Sequence, residues 1–337
     1  MNNLIGFEIF IQKNGEIVFQ SRPIKEKTFT YLRMTDSIPL PDFDFDDDIS
    51  FSFDTTLAGS PPLAPNCYII QQIESFGFAL HNKEPLKCTS NSMVFCAEAP
   101  YSQDFFALKM SSNRQRIITE FENAMKLLQS PYIVKYYDLY DAGPSVFLQM
   151  ELCELGDITM KKMNEIFIWK LIHDVGSALD ILHNSGFMHM DVSPSNILLT
   201  NKNLFKLGDF GSLCEIGQFE TGKEGAGPYV SPETLLFPGN FEMGKVFVTE
   251  KTDIFSFGLV LLEAATGCYA PRGGSPNYSR IRNDSLKLGE GPYQVKNNEL
   301  SQTLINLINK MLSFDPDKRP SAAKIASHPW AIQASKM

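Results

Sequence analysis

Residues 189–199 read HMDVSPSNILL, and thirteen residues beyond Asn196 the chain reads Asp209-Phe210-Gly211. A carboxylate (Asp191), an amide (Asn196) and a second carboxylate (Asp209) are thus spaced as H-x-D-x-x-x-x-N followed by D-F-G. Each alone is an ordinary turn residue. Together they offer a base for a hydroxyl proton and two hard oxygen ligands for a divalent cation, the parts that phosphoryl transfer requires. Two residues inside the loop, Met190 and Ser193, bear on how such a site would work.

Around this loop the hydrophobic pattern changes along the chain. From about residue 68 to 150 there are short β-like runs, Tyr68–Ile73, Met93–Ala97, Phe105–Met110 and Ser145–Met150, interrupted by a helical stretch over Gln115–Leu128. After residue 160 helices dominate. Ile168, Leu171, Ile172, Val175, Leu179 and Leu182 recur at helical spacing, with Gly186 where a C-cap belongs, and Leu304, Leu307, Ile308, Met311 and Leu312 form a second stripe. Near the start, FEIFIQ and EIVFQ flank Asn14-Gly15, a hairpin signal over residues 7–20. Residues 37–65 carry five prolines and an acidic run and read as a flexible tail. The expected organisation is an N-terminal extension over 1–66, a domain over 67–331 with a β-rich lobe to about 150 and a helical lobe from 151, and a tail over 332–337.

Composition narrows the function classes. A net charge of −9 argues against nucleic acid or anionic membrane as a non-specific partner. Six scattered cysteines with no C-x-x-C fit reduced thiols better than a disulfide framework or a zinc site. MNNLIGFEIF lacks the pattern of a secretory leader, Asn2 is not the glycine that myristoylation needs, and the apolar stretch from Phe255 to Ala265 is too short to span a bilayer. A nuclear or cytoplasmic, monomeric protein is expected.

The loop and its surroundings resemble the protein kinase family, whose α+β fold joins a small β-rich N-lobe to a larger helical C-lobe across a nucleotide cleft. The resemblance implies ATP and Mg2+ as cofactors and a protein substrate. Phe106-Ala107-Leu108-Lys109 resembles the V-A-I-K strand, so Lys109 would hold the α- and β-phosphates, paired with Glu120 or its rival Glu122 on the following helix. Glu120 is preferred because it lies eleven residues before Pro131 in the turn Ser-Pro-Tyr-Ile-Val. Asp191 would be the catalytic base, and Asn196 and Asp209 the magnesium ligands. Val94, fifteen residues before Lys109, would pack on adenine. Glu151 to Cys153 would form the hinge behind Met150 as gatekeeper. Ser231-Pro232-Glu233 occupies the A-P-E position, Arg319 would be its ion-pair partner, and Asp253 would anchor the catalytic loop.

Within that family the chain looks most like the Wee/Myt kinases. H-M-D for H-R-D, P-S-N-I, KLGDFG, EGAGPYVSPE and LEAATGCYAPRGG carry the likeness. It implies inhibitory phosphorylation of a cyclin-dependent kinase. Methionine at 190 cannot pair with an activation-loop phosphate, so activity should not depend on one. Two departures weigh against the enzyme. The glycine-rich loop aligns with Lys87-Cys88-Thr89-Ser90-Asn91-Ser92, which has no glycine; Gly77 in ESFGFA is the rival placement. Ser193 replaces the lysine that meets the γ-phosphate, with Lys87 or Lys223 as candidate substitutes. A pseudokinase acting as a binding or scaffold module is therefore the alternative. A kinase-fold enzyme acting on small molecules is disfavoured by the S-P-E segment and Arg319.

Overall fold

Three neighbouring strands buried on both faces build the first layer. The computed structural model describes residues 5–11, 17–23, 67–81, 84–89, 92–98, 104–111, 113–143, 145–219, 227–236, 248–295 and 299–337. Within the unit Met1–Leu57, β1 (Ile5–Ile11) and β2 (Ile17–Pro23) pair antiparallel, from Ile5 opposite Pro23 to Ile11 opposite Ile17. These strands reach beyond the expected 7–20. The Asn-Gly turn between them and the acidic 37–65 stretch lie outside the described residues.

The second unit, Ala58–Met337, opens with helix α1 (Cys67–Ser75), where a strand was expected over Tyr68–Ile73. The apolar run misleads because its inward positions are Ile69, Gln72 and Ile73, an i, i+3, i+4 set. Gly77, at φ +86°, ends the helix and donates its N–H to the Glu74 carbonyl, which removes it as a phosphate loop. Strands β3 (Ala79–Leu80), β4 (Lys87–Cys88), β5 (Ser92–Glu98) and β6 (Phe105–Ser111) follow, then helix α2 (Arg114–Met125), β7 (Tyr136–Asp141) and β8 (Val146–Glu151). They form one six-stranded sheet, ordered β3-β5-β6-β8-β7 with β4 also on β5; its paired strands run antiparallel. Met93, Phe95, Leu108, Met110 and Phe147 face one side and pack with Ile69, Ile73 and Phe78, so α1 covers that side. Ala107, Val146, Leu148 and Met150 face the other, where Ile117 and Ala124 of α2 join them.

The C-lobe is helical. Helix α3 (Glu165–Asn184) carries the predicted stripe inward, capped by the Asn164 side chain at its start and followed by Gly186 at φ +85°. Between it and the next helices run the short pairs β9 (Phe187–Met188) with β12 (Cys214–Glu215) and β10 (Ile197–Leu199) with β11 (Phe205–Leu207). Helices α4 (Pro232–Leu236), α5 (Lys251–Thr266), α6 (Pro276–Arg282), α7 (Gln302–Met311), α8 (Ala322–Ala326) and α9 (Pro329–Ala334) complete the lobe. Helix α5 is buried along almost its whole length. At Gly258 a Cβ would come within 3.0 Å of Leu312, so glycine there sets how closely the residues after α7 approach α5.

Arg319 fixes the loop that follows α7 to α4. Its guanidinium, fully buried, meets both Glu233 oxygens at 2.6 and 2.8 Å and donates to the carbonyls of Ser313, Phe314 and Lys251. The arginine pulls Glu233 below the usual carboxylate range against the opposing effect of burial. Breaking one partner of such a pair strands the other charge. Glu233→Gln is expected to destabilise the domain by about 3–5 kcal/mol. Urea unfolding checks this, and an unchanged midpoint would show that the pair contributes little.

Candidate active site

Lys109 lies on β6 with its side chain turned away from α1, toward α2. Its ammonium is 2.7 Å from Glu120 Oε2 and 2.8 Å from Asp209 Oδ2. Glu120 is fully buried and Glu122 is exposed, so the helix presents Glu120 to the lysine. Helix α2 is held in this register by Asn113, whose side chain accepts from the Arg116 N–H. Burial alone would lower the Lys109 pKa, but the two carboxylates outweigh it and keep the lysine charged. Burial likewise pushes Asp209 up, yet Lys109 pulls it down to about 2, so this carboxylate is ionised at neutral pH. Glu120 is raised by its burial, opposed by Lys109.

Tyr136, not singled out from the sequence, closes this cluster. Its hydroxyl donates to Glu120 Oε1 at 3.0 Å and accepts from the Asp209 N–H at 3.0 Å. A register shift between Tyr136 and Asp138 in the β7–β8 pairing turns Tyr136 inward, while Tyr137 is exposed. Burial raises the phenol pKa well above its ordinary value, so it stays a donor. Asn123, one turn beyond Glu120, adds a 2.9 Å hydrogen bond to the Phe210 carbonyl. Phe210 itself is buried between the Tyr136 and His189 rings. Asp209 adopts a left-handed backbone, φ +61° and ψ +79°, an uncommon state that these partners hold in place.

The catalytic loop hangs from α5. The buried Asp253 carboxylate accepts the backbone N–H groups of His189 and Met190 at 2.8 and 2.9 Å and also meets His183 Nε2. These bonds hold Met190 at φ +66°. Asn196 Nδ2 donates to both the Asp191 carbonyl, at 2.8 Å, and its Oδ2, at 3.0 Å. The amide oxygen of Asn196 is thereby left as the acceptor. Ser193 is buried, its hydroxyl 2.9 Å from that of Ser195. Met190 packs with Met188, Cys214 and Val248 in an apolar cluster, and a methionine carries no charge to receive a phosphate.

At the roof of the cleft, Val94 pairs with Lys109 across β5 and β6, which places it on the same sheet segment. Before it, Thr89 N–H donates to the Ser92 carbonyl and Ser92 N–H to Thr89 Oγ1, with Ser90 and Asn91 outside the described residues. Lys87 reaches across to Asp157 Oδ2 at 2.6 Å and the Ser195 carbonyl at 3.3 Å. It therefore touches the catalytic loop one residue away from Asn196, at a carbonyl rather than at Ser193. Lys223 is outside the described residues. In the hinge, Glu151 N–H already donates to the Lys135 carbonyl and the Glu151 carboxylate is paired with Lys206 at 2.8 Å. Burial pushes the Cys153 thiol up to about 12.

The donor set suits magnesium. Asp209 and Asn196 offer one carboxylate and one amide oxygen, both hard, and Mg2+ is held by few protein ligands completed by water and phosphate. Among the described residues no group of three or more His, Cys, Asp or Glu side chains forms a protein-only metal cage. Tyr136→Phe tests the cluster without emptying the space. It leaves the Asp209 N–H unpaired and Glu120 short of a donor, and is expected to destabilise by about 1–3 kcal/mol. Coincident unfolding midpoints for the variant and wild type would remove the hydroxyl from this account.

The comparisons with known proteins agree with this geometry. The protein kinase domain model matches residues 90–331. A probable protein kinase of Dictyostelium discoideum is 33% identical over 62% of this chain and 58% of its own length. The mitosis inhibitor protein kinase mik1 of Schizosaccharomyces pombe is 28% identical over 67% of this chain and 40% of its own. The membrane-associated tyrosine- and threonine-specific cdc2-inhibitory kinase wee-1.3 of Caenorhabditis elegans is 31% identical over 70% of this chain and 34% of its own. The chain thus spans about a third to three-fifths of the length of these relatives. With a match over most of its length and Lys109 paired to both Glu120 and Asp209, the chain belongs to the protein kinase family.

Proposed function

We propose that this chain transfers the γ-phosphoryl group of ATP to a hydroxyl of a protein substrate, and that the substrate is a cyclin-dependent kinase. The observation that carries the reaction is the assembled Lys109 cluster. The lysine is charged, bonded to α2 and to Asp209 at once, and needs no rearrangement before nucleotide arrives. Support for the substrate comes from the similarity to wee-1.3, a cdc2-inhibitory kinase, and to mik1, a mitosis inhibitor.

In this reading Cys153 N–H meets adenine, Val94 packs over it, and Lys109 holds the α- and β-phosphates. Magnesium, when bound by Asp209 and Asn196, neutralises charge on the phosphates. Asp191, oriented by the Asn196 amide, accepts the substrate hydroxyl proton. The new bond forms between that oxygen and the γ-phosphorus as the bond to the β-bridging oxygen breaks, and ADP leaves. Asp191 and the incoming hydroxyl do not need an ordered phosphate nearby, since Met190 sits in an apolar cluster.

A second reading, a pseudokinase that binds partners, draws on Ser193. Its hydroxyl is held by Ser195, and no lysine or arginine contacts it among the described residues. Losing one preorganised donor to the transferring group is worth about 3–4 kcal/mol, or roughly 10²–10³ in rate. The enzyme reading therefore predicts slow turnover, and Ser193→Lys separates the two. A slow kinase should gain in kcat more than in KM for ATP, because Lys109 already serves ground-state binding. The assay is radiolabelled ATP with a cyclin-dependent kinase complex and with the chain itself, with Asp191→Asn as control. Transfer by wild type that Asp191→Asn abolishes supports the enzyme; no transfer by wild type or Ser193→Lys, with partner binding intact, supports the pseudokinase.

A further inference from the structure

The segment just before Ser231-Pro232-Glu233 is gripped by side chains whose chemistry the reaction above does not use. Residues Gly227–Tyr229 form a 3-10 turn followed by Val230. Tyr229 and Val230 share a small cavity with Met190, Asp191 and Val192, so this turn is a wall of the space in front of the catalytic base. Its first residues are glycine and proline, and Pro228 has no N–H to give. The backbone carbonyls of the turn are taken by side chains instead.

Helix α6 supplies two of these, one turn apart. Tyr278 Oη donates to the Gly227 carbonyl at 3.2 Å. Arg282 donates from Nη2 to the Pro228 carbonyl at 2.8 Å, from Nε to the Val230 carbonyl at 2.9 Å and from Nη1 to the Tyr278 carbonyl at 3.1 Å. The guanidinium lies over the Tyr278 ring, 3.6 Å from its centroid, with the Phe255 ring at 5.6 Å. Helix α5 contributes Ser256, which donates to the Tyr229 carbonyl at 2.8 Å, and Glu263, which accepts from the Tyr229 hydroxyl at 2.8 Å.

Arg282 is unusual among the buried cations here. Lys109 and Arg319 each face a carboxylate, whereas Arg282, 5% exposed, has carbonyl dipoles and ring faces and no carboxylate among the described residues. Burial lowers its pKa only to about 10, so it remains charged at neutral pH. A planar fork with five donors can bridge carbonyls two residues apart in a way a lysine cannot. A buried charge without a counter-ion is costly unless hydrogen bonds compensate it, and here the compensation comes from the wall beside Asp191.

We propose that Arg282, with Tyr278, is a positioning residue that fixes the protein-substrate wall of the site, so that this wall is set by α6 and not by phosphate on the activation segment. The proposal rests on the kinase reading for its catalytic consequence, but the clamp itself does not. It agrees with Met190, which leaves no arginine in the catalytic loop to organise the same segment through a phosphate.

The test uses the full chain with Arg282→Met, Arg282→Lys and Tyr278→Phe. Hydrogen exchange read at the amides of Tyr229, Val230 and Ser231 should quicken about tenfold or more in Arg282→Met, with α3 and the sheet unchanged, and less in Arg282→Lys and Tyr278→Phe. In the phosphorylation assay KM for the protein substrate should rise about tenfold in Arg282→Met, in line with losing a hydrogen bond from a charged group, while KM for ATP stays within twofold. Wild-type KM for the protein substrate should survive phosphatase treatment. Unchanged exchange at the three amides would overturn the clamp, as would a parallel rise of both KM values, which marks a general loss of packing. If Arg282→Met fails to fold, Tyr278→Phe and Arg282→Lys carry the same comparison. If wild type transfers no phosphate, the catalytic reading fails, and the exchange result alone decides the clamp.

Discussion

A single buried ammonium ties the N-lobe to the C-lobe in this molecule. Lys109 Nζ bonds to Glu120 on α2 and to Asp209 on the loop after β11, so one side chain fixes a strand, a helix and a metal-ligand loop relative to each other. Such a group cannot be left half-paired, because an uncompensated buried charge costs several kcal/mol. Each partner is therefore held by something else. Tyr136 holds Glu120 and Asp209 together, Asn123 holds Phe210, and Asn113 fixes the start of α2. The site is preorganised by this chain of contacts, which is the condition for electrostatic stabilisation in a water-poor cleft.

The C-lobe meets this centre through a second buried carboxylate. Asp253 sits in the first turn of α5 and accepts two consecutive backbone N–H groups of the catalytic loop. Its pKa stays below the ordinary range although burial opposes this, because His183 and the backbone donors favour the charged form. The same helix reaches Tyr229 through Ser256 and Glu263. Helix α5 thus holds both the loop that carries Asp191 and the turn at Gly227–Val230, which α6 also grips.

Much of this was legible in the sequence, because the chemistry demands particular residues at short, rigid spacings. Lys109, Asp191, Asn196 and Asp209 stand out since a base and hard oxygen ligands cannot be exchanged for other types. The choice of Glu120 over Glu122 rested on its distance from Pro131, and the helix face agrees. Other features depend on geometry that spacing does not encode. Tyr136 points inward only because of a bulge, and Tyr137 beside it has the same chemistry but faces outward. Helix α1 looks like a strand because four of its first seven residues are apolar and β-compatible, and its true period shows only against the face it covers. Nothing in RIR marks Arg282, whose carbonyl partners lie more than fifty residues away in sequence. The segment that replaces the glycine-rich loop is visible in composition, but Lys87 meeting Asp157 is a contact across the cleft that no local pattern announces.

Asp209, ionised and held by Lys109, is the carboxylate on which magnesium binding would depend. Titration calorimetry of ATP into the wild type and Asp209→Asn, with and without Mg2+, measures this most directly. The account predicts wild-type binding that requires magnesium and a variant that loses that requirement together with most of the affinity, while its unfolding midpoint shows an intact fold. Equal ATP affinity in both proteins, or wild-type binding indifferent to magnesium, would contradict it.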